Sequence, residues 1–160
     1  MEYILAVDQG TTSTKAFLLK KDGTLLASKG VPITQHYPKP GYVEHDPDEI
    51  WFSVMRAMAD VLQKNDVKKG EVKALAITNQ RETTVCFDRD SLRPLHPAIC
   101  WQCRRTADIC KREEYVSRLD EITYKTGLKL DPYFSGTKMR YIFENVKGAY
   151  EKASDRKSVV

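Results

Sequence analysis

Two clusters in this 160-residue sequence carry side chains whose types and order suit ligand chemistry. The first is Asp8-Gln9-Gly10-Thr11-Thr12-Ser13, with Lys15 close behind. A glycine lets the main chain approach a ligand, and the N–H groups that follow it can point at an anion. Thr11, Thr12 and Ser13 add hydroxyl donors that suit phosphate oxygens, and Asp8 is placed to hold the water shell of a Mg2+ ion. No GxxxxGK followed by Ser or Thr occurs, so this is not a Walker A loop. Asp, Gly, Thr and Ser also form ordinary turns, and both readings stand on these residues alone.

The second cluster is Arg81-Glu82, directly after an apolar strand, a usual position for site residues in α/β sheets. A guanidinium beside a carboxylate can donate to and accept from adjacent hydroxyls of a polyol. The same pair on an open surface would contribute little. Trp101 and Tyr133 offer flat faces to carbon-bound hydrogens, although aromatics in a chain of this size also build cores.

Two further patterns carry less. Cys100-Trp101-Gln102-Cys103 has the spacing of a metal or redox pair. A closed zinc site needs about four ligands, and no second such pair or HxxxH accompanies it. A redox CxxC opens a helix, whereas Cys100 reads as the end of a strand. Cys86, Cys100, Cys103 and Cys110 are therefore expected as thiols, and His36, His45 and His96 as surface or turn residues. Ser135-Gly136-Thr137-Lys138 fits SxxK and Lys125-Thr126-Gly127 fits KTG, but in the reverse of the acyl-enzyme order and without SDN. Ser135 is instead expected to cap a helix.

The elements that must position these residues follow from turn signals and periodicity. Residues 3–7, 16–19 and 24–29 read as strands, with Lys21-Asp22-Gly23 as a tight turn, giving an antiparallel meander. Residues 32–46, with Pro38, Pro40 and Gly41, read as a surface excursion. Asp46 and Pro47 open a helix, with Asp48 and Glu49 at the positive end of its dipole. Ile50, Trp51, Val54, Met55, Met58, Val61 and Leu62 recur at helical steps and predict its buried face. Residues 72–77, 83–87 and 97–101 read as further strands, and 104–118 and 120–125 as helices. Residues 126–133 read as loop and 135–146 as a last helix, with Met139, Ile142, Phe143 and Val146 as its apolar stripe. Strands first, then helices alternating with strands, predict a layered α/β domain with a mixed sheet.

Hydrophobic residues make up 41% and charged residues 30%, the balance of a folded soluble protein rather than a disordered one. The length fits one domain. The net charge of +4 is spread along the chain, which argues against nucleic acid as a partner. No apolar run is long enough to cross a bilayer, and Met1-Glu2-Tyr3 lacks the basic region of a secretory signal. No membrane insertion and a cytoplasmic location are the expectation.

Five blocks, taken in order, resemble a known family. They are Asp8-Gln9-Gly10-Thr11-Thr12-Ser13, Gly41-Tyr42-Val43-Glu44-His45-Asp46-Pro47, Ile77-Thr78-Asn79-Gln80-Arg81-Glu82-Thr83-Thr84, Trp101-Gln102-Cys103-Arg104-Arg105-Thr106 and Asp131-Pro132-Tyr133-Phe134-Ser135-Gly136-Thr137-Lys138. The chain resembles the FGGY carbohydrate kinases of the hexokinase–actin superfamily and, within them, the glycerol kinases, over residues 3–146. The resemblance implies an actin-like, ribonuclease H-like ATPase domain, α/β with a mixed, partly antiparallel sheet flanked by helices. It implies phosphorylation of a terminal hydroxyl of glycerol, with ATP/ADP, Mg2+ and glycerol as ligands. Gly10, Thr11, Thr12 and Ser13 then match the first phosphate-binding turn, with Asp8 at the Mg2+. Lys15 falls where many relatives carry an Arg that contacts the nucleotide, and it keeps the charge but not the bidentate fork. Arg81, Glu82 and Tyr133 match residues that hydrogen-bond glycerol, and Trp101 matches an aromatic wall beside its carbon chain. Cys103 stands where many relatives have Asp.

Members of that family are about three times this length, which implies several domains. The Gly-Asp-Gln segment that carries their general-base aspartate does not occur here. Nor do the second phosphate loop and the adenine pocket, which belong to a second lobe. The expectation is an incomplete first lobe over residues 1–146, with residues 147–160 as a tail outside the resemblance. Alone, it is expected to show negligible turnover, because phosphoryl transfer needs both sides of an in-line geometry. The rival expectation is a non-catalytic binding or assembly module. Uncovered apolar surface would lead such a module to self-associate or to pair with a separate C-terminal kinase chain.

Overall fold

Tyr3, Leu5, Val7 and Gln9 are buried while the residues between them are less so, the two-residue period that lays one face of a strand on a core. This strand opens the computed structural model, which describes residues 1–155 and 158–159. In chain order the elements begin with β1 (Tyr3–Gln9), β2 (Ser13–Lys20), β3 (Leu25–Pro32), β4 (Glu44–His45), α1 (Pro47–Lys64) and β5 (Val72–Asn79). They continue with β6 (Phe87–Asp88), β7 (Ala98–Ile99), α2 (Glu113–Val116), α3 (Leu119–Thr126), α4 (Ser135–Asn145), α5 (Ala149–Ser154) and β8 (Ser158–Val159). Where the length suggests one domain, the chain forms two compact units. One comprises Met1–Gln35 with Asp46–Gln80, the other His36–His45 with Arg81–Val160.

In the first unit, β1, β2 and β3 form the expected antiparallel meander, and Gly23 takes the left-handed φ of +87° in its turn. β5 joins β1 in parallel, so the sheet is mixed, in the order β3-β2-β1-β5. Asp46 caps α1 by accepting the Asp48 N–H at 2.9 Å, and Pro47 is its first residue, as predicted. The buried face of α1 differs from the predicted one. Ser53, Ala57 and Val61 turn inward, while Trp51 and Met55 are 60% and 45% exposed. The helical period is right but its phase is rotated, because small side chains let the helix lie close to the sheet. Thr14 and Ser53 meet there in a buried hydroxyl–hydroxyl bond of 2.6 Å. β5 is apolar at most positions, yet it lies at the sheet edge with Leu75 and Ile77 exposed.

The second unit holds less regular structure than predicted. The strands read at 83–87 and 97–101 shrink to the Thr84–Ile99 bridge and two-residue pairings of β4 with β7 and β6 with β8. The helix read at 104–118 is a single 3-10 turn, Ile109–Lys111, followed by α2, because Arg112 is extended at ψ 138° and breaks the run. α5 forms beyond Val146, where no regular element is predicted, and it follows Gly148 at φ +78°. The core gathers Val43, Cys86, Ile99, Cys100, Cys103, Ile142 and Ala149. His45, expected at the surface, is buried, because its pairing with Ala98 draws it inward. All four cysteines are thiols.

A buried cation ties two of the motif blocks together. Arg105, its side chain 1% exposed, donates to Glu44 Oε1 at 2.6 Å and to Cys103 Sγ at 3.0 Å. Its guanidinium stands 4.2 Å from the Tyr42 ring centroid and 5.2 Å from that of Tyr141. Glu44→Leu would leave this guanidinium buried without its carboxylate, a loss of about 3–5 kcal/mol. Urea unfolding is expected to show a fall of that size in the second unit, and an unchanged midpoint would refute the clasp.

Candidate functional site

Strand register builds the first centre. β1 and β2 stay paired as far as Gln9 and Thr14, so residues 10–13 must turn between them. The Gly10 N–H donates to the Ser13 carbonyl at 3.0 Å, and a Cβ on Gly10 would stand 3.0 Å from that same oxygen. A side chain there would push the Ser13 carbonyl by a few tenths of an ångström, so glycine suits the turn. The turn is also pinned from β5. The Gln80 N–H donates to the Gln9 carbonyl at 2.7 Å, and its Nε2 donates to the Gly10 carbonyl at 3.3 Å. Gln9 Nε2 adds a bond of 2.7 Å to the Gly10 carbonyl, and the Thr12 carbonyl accepts the Ile33 N–H at 3.0 Å.

On the exposed side of the sheet, Asp8 lies opposite Lys15 in β2 and Thr78 in β5. A carboxylate, an ammonium and a hydroxyl therefore share one face at the end of β1. Thr12 is exposed, Thr11 and Ser13 are half-buried, and Thr14 is committed to Ser53. This donor set fits a polyphosphate beside a hydrated Mg2+ ion. The Thr11, Thr12 and Ser13 hydroxyls can donate to phosphate oxygens, and the exposed Asp8 carboxylate can accept hydrogen bonds from metal-bound water.

The second centre is built around Glu82. Its backbone is at φ +62°, in the left-handed region that costs a non-glycine residue on the order of 1–3 kcal/mol. Neighbouring bonds hold it there. Glu82 Oε2 accepts the Ser135 N–H at 2.8 Å and the Ser135 Oγ at 2.7 Å, and Lys138 Nζ donates to the Glu82 carbonyl at 2.8 Å. Lys138 Nζ also donates to the Tyr133 carbonyl. The Tyr133 ring meets Trp101 edge-on, with centroids 5.8 Å apart, and its N–H donates to Asp131 Oδ1 at 2.8 Å. The Trp101 N–H donates in turn to Thr83 Oγ1 at 3.2 Å. Glu82, Tyr133 and Trp101, far apart in sequence, thus form one connected cluster. Arg81 precedes it along the chain and is exposed.

Ser135 is not the cap it is expected to be. Phe134 occupies that position and makes no side-chain cap, and Ser135 is the first residue of α4. The Glu82 carboxylate caps the helix from outside, where its negative charge also suits the dipole. Lys138, set aside as part of a stray SxxK pattern, is wholly buried. Burial pushes its pKa down to about 8, against the pull of the Glu82 carboxylate. One signal for it was present in the sequence. Lys138 precedes Ile142 by four residues and so shares the inward face of its helix. Gln80 left no such signal, because its role lies in strand pairing.

A cleft of about 460 Å3 in the same unit takes Glu82, Asp131 and Ser135 at its polar end and Ile122, Leu128 and Phe134 on its wall. Arg81, Trp101 and Tyr133 do not line it. Its lining is largely apolar, and Glu82 is the residue it shares with the cluster of Glu82, Tyr133 and Trp101. Cys100 and Cys103 are core residues, and among the described residues no group of three or more His, Cys, Asp or Glu side chains could hold a metal ion.

Comparison with known proteins places these motifs in a wider setting. The model for the N-terminal domain of the FGGY family of carbohydrate kinases matches residues 3–159. The glycerol kinase of Carboxydothermus hydrogenoformans is 49% identical over 152 residues, which cover 95% of this chain and 30% of that protein. The glycerol kinase of Symbiobacterium thermophilum is 51% identical over 151 residues, covering 94% and 30% respectively. The crystal structure of Plasmodium falciparum glycerol kinase with ADP aligns with a TM-score of 0.86 and 31% identity, over 99% of this chain and 32% of that one. Gluconate kinase from Lactobacillus acidophilus, 23% identical, shares the fold at a TM-score of 0.83, over 94% of this chain and 30% of that one. This chain spans about 30% of the length of the glycerol kinases it matches. Its mixed sheet and flanking helices are part of the actin-like ATPase fold. By motif, fold and sequence, the chain belongs to the FGGY family of carbohydrate kinases, in the region of its N-terminal domain.

Proposed function

We propose that this chain supplies the first phosphate turn and most of the glycerol-binding residues of a cytoplasmic glycerol kinase. The observation that carries the reading is the cluster of Glu82, Tyr133 and Trp101, joined by Lys138, in a chain about half identical to glycerol kinases. Arg81 donates to and Glu82 accepts from neighbouring hydroxyls of glycerol, Tyr133 adds a further hydrogen bond, and Trp101 lies along the carbon chain. Gly10, Thr11, Thr12, Ser13 and Lys15 receive the terminal phosphates of ATP, and Asp8 orders the waters of Mg2+. When bound, Mg2+ neutralises charge on the phosphate oxygens. The 160 residues include no Gly-Asp-Gln segment to provide the general base, so the chain by itself is expected to give negligible glycerol 3-phosphate.

A hybrid tests this reading. This chain replaces the matching segment of the Carboxydothermus hydrogenoformans glycerol kinase, and Mg-ATP-dependent glycerol 3-phosphate formation is measured. Turnover with glycerol well above that with xylulose or gluconate is expected. A folded but inactive hybrid, or one that prefers another polyol, would refute the assignment. In the active hybrid, Arg81→Ala and Glu82→Gln are each expected to lower kcat/KM for glycerol roughly 10- to 100-fold, the worth of a charged hydrogen bond. Gly10→Val is expected to raise KM for ATP and to leave KM for glycerol nearly unchanged.

A second reading is assembly, favoured by the exposed Leu75 and Ile77 on the edge strand β5. The isolated chain is expected to self-associate in light scattering, and Ile77→Lys is expected to reduce that association. A monodisperse monomer at all concentrations would rule the assembly reading out.

A further inference from the structure

Lys138 is wholly buried, yet the proposed reaction leaves it without a role. An apolar residue of similar size would fill the inward face of α4 equally well and would spare the burial of an ammonium. What such a residue could not do is bind the two carbonyls that Nζ reaches, those of Glu82 and Tyr133. Each belongs to a segment outside regular secondary structure. Glu82 sits at a left-handed φ, and Tyr133 lies in the irregular stretch that leads into α4. The Tyr133 ring also lies 5.9 Å from Nζ, so the ammonium faces both the main chain and the ring of this residue.

We propose that Lys138 is a positioning residue of the polyol site, holding Glu82 and Tyr133 at a set separation through their main-chain carbonyls. The proposal rests on the reading of Glu82 and Tyr133 as glycerol ligands and adds the group that spaces them. A small triol offers few contacts, so its affinity depends on ligands already held at the right distance. Lys138 touches no reacting atom and acts only through its two partners.

The test uses the 160-residue chain, labelled with nitrogen-15, and two readouts. One is hydrogen exchange at the Ser135 N–H, which is bonded to Glu82. The other is the glycerol-induced shift of the Trp101 indole resonance, told from that of Trp51 by a Trp51→Phe variant. Lys138→Met keeps the side-chain bulk and removes the donors. It is expected to speed Ser135 exchange at least tenfold and to raise the glycerol midpoint at least tenfold. Exchange at the Val146 N–H, bonded to Ile142 at the far end of α4, is expected to stay unchanged. If Val146 protection is lost as well, Lys138→Ala is used with added n-propylammonium, the piece that this truncation removes, and both values are expected to recover. Unchanged Ser135 exchange overturns the proposal. Faster Ser135 exchange with an unchanged glycerol midpoint does so too, since it would make Lys138 a purely structural group. An unaltered chain that shows no glycerol shift also overturns the role, and turnover of the hybrid kinase then decides separately whether the glycerol reading stands.

Discussion

An ammonium taken out of water must find acceptors, and the second unit is arranged around that requirement at Lys138. Its stem fills the inward face of α4, and its charge is met by the carbonyls of Glu82 and Tyr133. The same two residues are tied down elsewhere, Glu82 through Ser135 and Tyr133 through Asp131 and Trp101. One desolvated cation thus joins a strained residue, a helix start and an aromatic pair. Arg105 obeys the same rule in another part of the unit, where Glu44, Cys103 and two tyrosine rings receive its guanidinium. Short strands and broken helices hold together there because buried charges specify their partners.

The first unit relies on a different constraint. Its four strands pair along most of their length, and the turn after β1 is shaped by hydrogen bonds to its main chain rather than by charge. A Cβ on Gly10 would crowd the Ser13 carbonyl, Gln80 reaches across from the end of β5, and Thr14 is bolted to α1 through Ser53. With the frame fixed this way, Asp8, Thr12 and Lys15 remain exposed.

Much of this was legible in the sequence, and the limits of legibility have physical causes. Local chemistry was read correctly where it was strong: the Asp-Gly turn, the Asp46 cap followed by Pro47, the four strands of the first unit and the helix that becomes α4. Reading failed where long-range packing outweighed local preference. The inward face of α1 turned on how close a helix can lie to a sheet, so small Ser53 and Ala57 displaced Trp51 and Met55. The helix read at 104–118 broke at an extended Arg112, whose guanidinium is fastened to Glu144 on α4.

The site divides along the same line. Residue types and the family resemblance picked out the candidate side chains, namely Asp8, Gly10 to Ser13, Lys15, Arg81, Glu82, Trp101 and Tyr133, because hydroxyls, carboxylates, cations and flat rings have intrinsic preferences for phosphate and polyol groups. Only the tertiary structure decided which of them act as a unit and what holds them. Lys138 as the link, Gln80 as the pin and Glu82 as a helix cap depend on bonds between residues distant in sequence. Apart from the helical step from Lys138 to Ile142, such bonds leave no periodicity or spacing behind, since a hydrogen bond depends on where atoms meet in space rather than on their order along the chain.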